Sequence, residues 1–258
     1  MTPRVDRTTI SLTCAGATAI IVATASLHGY VTVANWRSAC AANVAWLVLM
    51  VELGRLRREV SPDGENCPAP ISPATFVTIA RGFLIALVAA CAFDPAPAGV
   101  ALWVPGTLYT VAALADRADG ALARRTGITA LGARLDVTTD AIGLLVAPVV
   151  GMLWGRLPPW YLALACAYPV FRGALELRRA SGRPVFAERL GPDPRARLFA
   201  GVQMTVVAAA LFPVLPRALT WWAATIAMLP TLALFAGEWR LATRSAADGR
   251  ARAERLDA

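Results

Sequence analysis

Apolar residues in this chain come in long blocks, separated by short stretches rich in arginine, proline and glycine. A spanning helix needs about 20 mostly apolar residues. Eight blocks approach that length: 9–33, 40–53, 71–93, 99–115, 135–153, 159–177, 198–215 and 219–239. The second is the shortest. The third carries one charge, Arg81, and the sixth carries Arg172. A charged, proline-containing stretch fills 54–70, and the fourth block runs directly into a cluster of aspartates. Arg4 and Arg7 precede the first block, as basic residues precede a signal sequence. Its apolar part exceeds the usual core of about 7–15 residues, so an uncleaved helix is expected. The fold class read from this pattern is all-α, a polytopic bundle of membrane helices.

Composition supports that reading. Of the 258 residues, 57% are hydrophobic, against about 45–50% apolar in soluble domains. One or two soluble domains of this length could not hide so much apolar surface. Net charge is +8, and all 25 basic residues are arginine. They sit in the short connections between blocks, which suits anionic lipid headgroups and argues against a nucleic-acid-binding face. With eight spans and both termini cytoplasmic, twenty arginines fall on the cytoplasmic side and three, Arg37, Arg156 and Arg217, on the other. The positive-inside rule therefore supports this topology and puts the aspartates at the cytoplasmic face of an inner, cytoplasmic membrane. The five cysteines form no CxxC pair, and the four that lie in apolar blocks read as small apolar residues. Trp154, Trp160, Tyr161, Trp221 and Trp222 fall near outer helix ends and read as an interfacial belt.

The chemistry-bearing stretch contains Asp116, Asp119, Asp136 and Asp140. On helices, the first two are i,i+3 neighbours and the last two i,i+4 neighbours. Two adjacent antiparallel helices can bring all four together. Clustered carboxylates repel and raise one another's pKa, and bound cations resolve this near lipid. Carboxylate oxygens are hard ligands suited to Mg²⁺ or Mn²⁺. Two such ions can clamp a diphosphate, and one carboxylate can serve as a general base. Gly120 permits close approach of a ligand to the backbone, and Arg124 offers a planar fork for phosphate. The alternative is a salt-bridge belt in which the aspartates pair with Arg117, Arg124, Arg125 and Arg134.

These residues resemble the signature of the CDP-alcohol phosphatidyltransferases, D-x-x-D-G-x-x-A-R, a spacer, then G-x-x-x-D-x-x-x-D. Asp116, Asp119, Gly120, Ala123, Arg124, Gly132, Asp136 and Asp140 occupy the fixed positions. The spacer is seven residues, 125–131, one shorter than is typical, and its Thr126-Gly127-Ile128-Thr129 reads as a turn that tolerates the loss. Thr78 and Arg81 resemble the family's TxxR element, and Arg197 and Gln203 its basic residue six positions before a glutamine.

The resemblance implies a six-helix core over 71–240. An extra transmembrane hairpin with its linker then fills 1–70, and a charged cytoplasmic tail fills 241–258. It implies a CDP-linked donor, usually CDP-diacylglycerol, and a small alcohol acceptor in phospholipid synthesis. Two divalent ions would be held by Asp116, Asp119, Asp136 and Asp140, with Asp140 also the base. Gly120, Ala123, Arg124 and Gly132 would sit at the nucleotide, and Thr78, Arg81, Arg197 and Gln203 in the substrate region. Arg81, the basic loop from Arg178 to Arg197, and Arg172 are candidates to grip an acceptor phosphate, Arg81 foremost. Family members are commonly homodimers. The competing readings are a polytopic transporter with a cation site, for which no internal repeat is evident, and a silent relative with a shortened spacer.

Overall fold

A computed structural model describes residues 6–28, 33–61, 68–93, 99–182, 185 and 194–243. The described residues form eight α-helices: α1 (Arg7–His28), α2 (Val33–Glu59), α3 (Pro73–Ala90), α4 (Val104–Thr126), α5 (Ala130–Leu153), α6 (Leu162–Ala180), α7 (Pro194–Leu211) and α8 (Arg217–Thr243). Short 3₁₀ turns link α3 to α4 and α5 to α6, and there is no strand among these residues. Six helices are long and apolar enough to cross a membrane: α1 to α5 and α8. By that measure the described helices form a polytopic helical membrane bundle. α6, whose last turns carry Glu176, Arg178 and Arg179, falls below that measure. So does α7, whose apolar part is Leu198–Leu211. Both pack as members of the bundle.

Local sequence explains the helix starts nearest the aspartates. Ser72 caps α3 by accepting from the Thr75 N–H, with Pro73 in the first turn; a proline fits there because that N–H has no intrahelical partner. Thr129 caps α5 by accepting from the Gly132 N–H at 3.1 Å. Between α4 and α5 lie only residues 127–129. Gly127 has φ 99°, and its N–H closes the end of α4 on the Ala123 carbonyl. A side chain would be strained at that φ.

The helices do not begin and end where the apolar blocks do. The second block was expected to end at residue 53, but α2 continues to Glu59. Its added turn is stabilised by Arg55, which pairs with Glu52 and Glu59, and by Arg57. α1 is described to His28, and residues 29–32 of the expected first span lie outside the described residues.

α3 is the central helix, packed on α2, α4 and α5, while α1 lies on α2 and α8 on α6 and α7. Two apolar clusters result. One joins the N-terminal hairpin to α3 and α5 through Trp46, Leu49, Leu53, Ile79, Ala86 and Leu135. The hairpin thus shares a core with the rest of the bundle. Gly82 permits this contact, since a Cβ there would fall 2.1 Å from Leu49 Cδ2. The other cluster joins α3, α4, α5, α7 and α8 through Val88, Tyr109, Val150, Tyr161, Val207 and Met228.

Polar links bring the helix ends into two sets. At one end Arg57 of α2 pairs with Asp6, which precedes α1, and its Nε donates to the Ala69 carbonyl just ahead of α3. Arg134 of α5 reaches Glu59 of α2 at the same end. At the opposite end Arg156 donates to the carbonyls of Ala210, Phe212 and Leu215, closing the end of α7. Helices therefore alternate in direction, and the end of α4 and start of α5 share one end of the bundle.

Candidate metal centre

Three helices build the centre, and each contributes two polar side chains. α4 presents Asp116 and Asp119, α5 presents Asp136 and Asp140, and α3 presents Thr78 and Arg81. Arg81 is 2% exposed, and its guanidinium lies among all four carboxylates. Nη1 donates to Asp116 and lies 3.5 Å from Asp119 Oδ2. Nη2 donates to Asp136 Oδ1 and Asp140 Oδ1 at 2.8 Å each. Thr78 Oγ1 donates to Asp119 Oδ2 at 3.1 Å.

The structure therefore brings the four aspartates together, as their spacing predicted, and supplies a partner other than the arginines of the salt-bridge alternative. Arg117, Arg124 and Arg125 are exposed, and Arg134 turns to Glu59. Arg81 itself faces the carboxylates instead of standing free to grip an acceptor phosphate. A buried guanidinium with five N–H donors is drawn to the nearest acceptors, and those are the aspartates.

The four carboxylates are not equivalent. Asp116, Asp136 and Asp140 are half-buried, and each can offer one oxygen such that all three oxygens lie within 4.8 Å of one another. Asp119 is buried, with its Oδ2 engaged by Thr78 and Arg81. Three carboxylates against one guanidinium leave surplus negative charge, and with Asp119 the surplus is larger still. Such an all-oxygen anionic set fits a hard divalent cation.

The remaining expected residues separate into two groups. Gly120, Ala123 and Arg124 follow the aspartates along α4. A Cβ on Gly120 would meet only Arg124 Nη1, at 3.5 Å, so the backbone there is open. Gly132 is different, because a Cβ would fall 3.0 Å from both Thr75 Oγ1 and Thr129 Oγ1. Its lack of a side chain is thus used by the approach of α3 to α5 and by the cap of α5. Gln203 does not reach the aspartates. It is 1% exposed; its Oε1 accepts from Tyr161, and its Nε2 donates to the Ala227 carbonyl at 2.5 Å and Thr231 Oγ1 at 3.0 Å. A buried amide finds partners on neighbouring helices, and here they are α8 and Tyr161. That bond and its 1% exposure also remove Tyr161 from the expected interfacial belt. The side chains of Arg197 and Arg172 lie outside the described residues.

Sequence reasoning passed over Tyr109 and Gly143, which line a small cavity with Arg81, Asp116 and Asp140. A signal was present: Tyr109 lies seven residues before Asp116 on one helical face, and Gly143 three after Asp140. A family model described as CDP-alcohol phosphatidyltransferase matches residues 72–232, more than half of the chain, leaving the α1–α2 hairpin outside. No curated protein and no solved structure matches the chain.

Proposed function

The chain belongs to the CDP-alcohol phosphatidyltransferase family, and from that premise we propose that it moves a phosphatidyl group from CDP-diacylglycerol to a small hydroxylated acceptor, free or phosphorylated, releasing CMP. The observation that carries this reading is the convergence of Asp116, Asp136 and Asp140 within 4.8 Å at one end of a membrane bundle. Those three would hold divalent Mg²⁺ or Mn²⁺, two ions when Asp119 joins them. Bound there, the ions would polarise the diphosphate and offset its charge.

The protein's own groups then have distinct tasks. Asp140 takes the proton of the acceptor hydroxyl. The acceptor oxygen forms its bond to the β-phosphorus as the bond from that phosphorus to the CMP oxygen breaks. Gly120 and Ala123 leave room for the cytidine end beside α4, and Arg124 meets its phosphate side. Thr78 fixes Asp119, and Arg81 holds the aspartates in register before substrate arrives. Glycerol 3-phosphate is the first acceptor to try, with inositol phosphate next.

The arginine distribution supports a cytoplasmic site with both termini on that side. The homodimer belongs to the same proposal, and light scattering in detergent tests it. Purified protein given CDP-diacylglycerol, Mn²⁺ and a panel of acceptors is expected to release CMP with one of them, and chelation to stop it. No CMP with any acceptor would overturn the proposal in favour of a transporter or a silent relative.

A further inference from the structure

At the end of the bundle that Arg156 closes, opposite the carboxylates, a cavity of about 460 Å³ opens between the turn before α6 and the first turns of α8. Trp160, Arg217, Ala218, Trp221, Trp222 and Thr225 line it. Its aromatic walls are held by contacts of their own. Trp160 and Trp221 meet edge to face with ring centroids 5.3 Å apart, and Trp160 Nε1 donates to Thr225 Oγ1 at 3.0 Å. Trp221 Nε1 donates to the Gly155 carbonyl at 3.2 Å. Trp222 is 70% exposed, and Ile226 and Leu229, one and two turns along α8, are exposed too. An apolar stripe therefore leads from the cavity along one face of the helix.

Arg217 stands exposed at the rim. Its guanidinium carbon lies 4.7 Å from the Trp221 ring centroid, and a Cβ on Gly155 would fall 3.4 Å from it. Packing and a cation–π contact hold this charge, and no acid does so. The first turn of α8 carries no acid, and no ion pair among the described residues includes Arg217. Stacking on an aromatic face leaves the in-plane N–H donors free. Arg156, at the same end, has spent its donors on carbonyls.

We infer that the cavity and stripe seat one phospholipid of net negative charge, with its phosphate on Arg217 and an acyl chain lying over Trp222, Ile226 and Leu229. A guanidinium matches a phosphate through two parallel N–H bonds. The aromatic walls and the stripe suit hydrocarbon, which a free phosphate does not bring. A zwitterionic headgroup would bring an ammonium beside Arg217 with no acid to receive it. This lipid lies in the leaflet opposite the carboxylates, so it is not the donor of the proposed reaction, and the seat stands or falls independently of that reaction.

The test uses the full chain in detergent micelles with phosphatidylglycerol that carries a photoreactive diazirine in one acyl chain. After irradiation, peptide mapping reads the labelling of residues 223–229. Wild type is expected to be labelled there, and Arg217→Gln about 5–10-fold less, the affinity that one arginine supplies at a lipid surface. Trp222→Ala, which leaves Arg217 in place, should lower the labelling as well, and it decides the matter alone if Arg217→Gln does not fold. Arg37→Gln is the control. Arg37 is also exposed and lies 6.0 Å from the Trp36 ring, but it does not line the cavity, so labelling should be unchanged. Unlabelled phosphatidylglycerol should compete, and phosphatidylcholine and inorganic phosphate should not. Labelling that survives both Arg217→Gln and Trp222→Ala, or falls equally in Arg37→Gln, overturns the seat. Equal competition by phosphatidylcholine overturns the requirement for net charge. Competition by inorganic phosphate makes the occupant a free anion, and a dimer lost in Trp222→Ala makes the patch a contact between two copies; either result overturns the lipid.

Discussion

Arg57 and Arg81 lie toward the same end of the bundle and are 6% and 2% exposed, yet their charge environments differ. Arg57 meets one acid. Its Nη1 donates to both oxygens of Asp6 at 2.7 Å and to Thr9 Oγ1 at 3.1 Å, and its Nε donates to the Ala69 carbonyl at 2.8 Å. One positive and one negative charge cancel, and Nη1 and Nε both have acceptors. Arg81 meets four acids and cancels one of them. The first arrangement is complete in itself and ties α1, α2 and the approach to α3 together. The second has negative charge left over in a place where acids are expensive, and a divalent cation is what would offset that surplus. Buried charge alone does not mark a working site; buried charge out of balance does.

The comparison breaks first, and most visibly, at Asp140. Asp140→Asn is expected to lower CMP release by about 10²–10⁴-fold, the usual contribution of a general base, while cytidine nucleotide binding measured by calorimetry largely survives. Loss of binding and turnover together would remove the base role. Asp6→Asn should leave turnover per folded molecule unchanged.

Removing each arginine sharpens the contrast. Arg57→Met strands a buried carboxylate, which costs about 3–5 kcal/mol. Thermal unfolding in detergent should show that loss, and Mn²⁺ should not restore it. Arg81→Met should also unfold more easily under chelation, but Mn²⁺ should recover much of the stability because it supplies the missing positive charge. Equal behaviour of the two variants toward Mn²⁺ would erase the distinction between them.

The smallest effect is on pH. Burial raises the Asp6 carboxyl, but hydrogen bonds from Thr9 and attraction to Arg57 outweigh it and hold the group below its ordinary 3.8. A lowered folded value means that the pair's contribution is fully present above 3.8 and is lost as pH falls through the still lower folded value. The gap in melting temperature between wild type and Asp6→Asn should therefore be constant near neutrality and shrink below about pH 4.

Much of this could be read from the chain, and the misses have physical causes. The aspartate spacings were legible because helical periodicity is local: i,i+3 on α4 and i,i+4 on α5 need no knowledge of tertiary structure. The turn at 127–129 was legible from Gly127 for the same reason. The convergence on Arg81 was not, because it depends on how α3 packs between the other two. The length of α2 was underestimated because Arg55, Arg57 and Arg58 look like a solvated loop until Glu52, Glu59 and Asp6 are seen to meet two of them. Tyr161 was assigned to a lipid boundary from its type and position, and Gln203 to a substrate region from the family resemblance. Each is instead the other's hydrogen-bond partner, a fact held by no short segment.

The three-residue link at Gly127 also bears on how the protein is made. Asp116 through Asp140 lie on one hairpin, and acids within apolar helices are costly to insert. α3 precedes that hairpin in the chain, so Arg81 is synthesised before the acids it meets. Synthesis order thus gives the acids a cation to meet before any metal is loaded. Arg81→Met is accordingly expected to reduce the fraction of chains whose α4–α5 hairpin inserts, which glycosylation mapping of truncated nascent chains can measure; unchanged insertion would assign Arg81 no part in biogenesis.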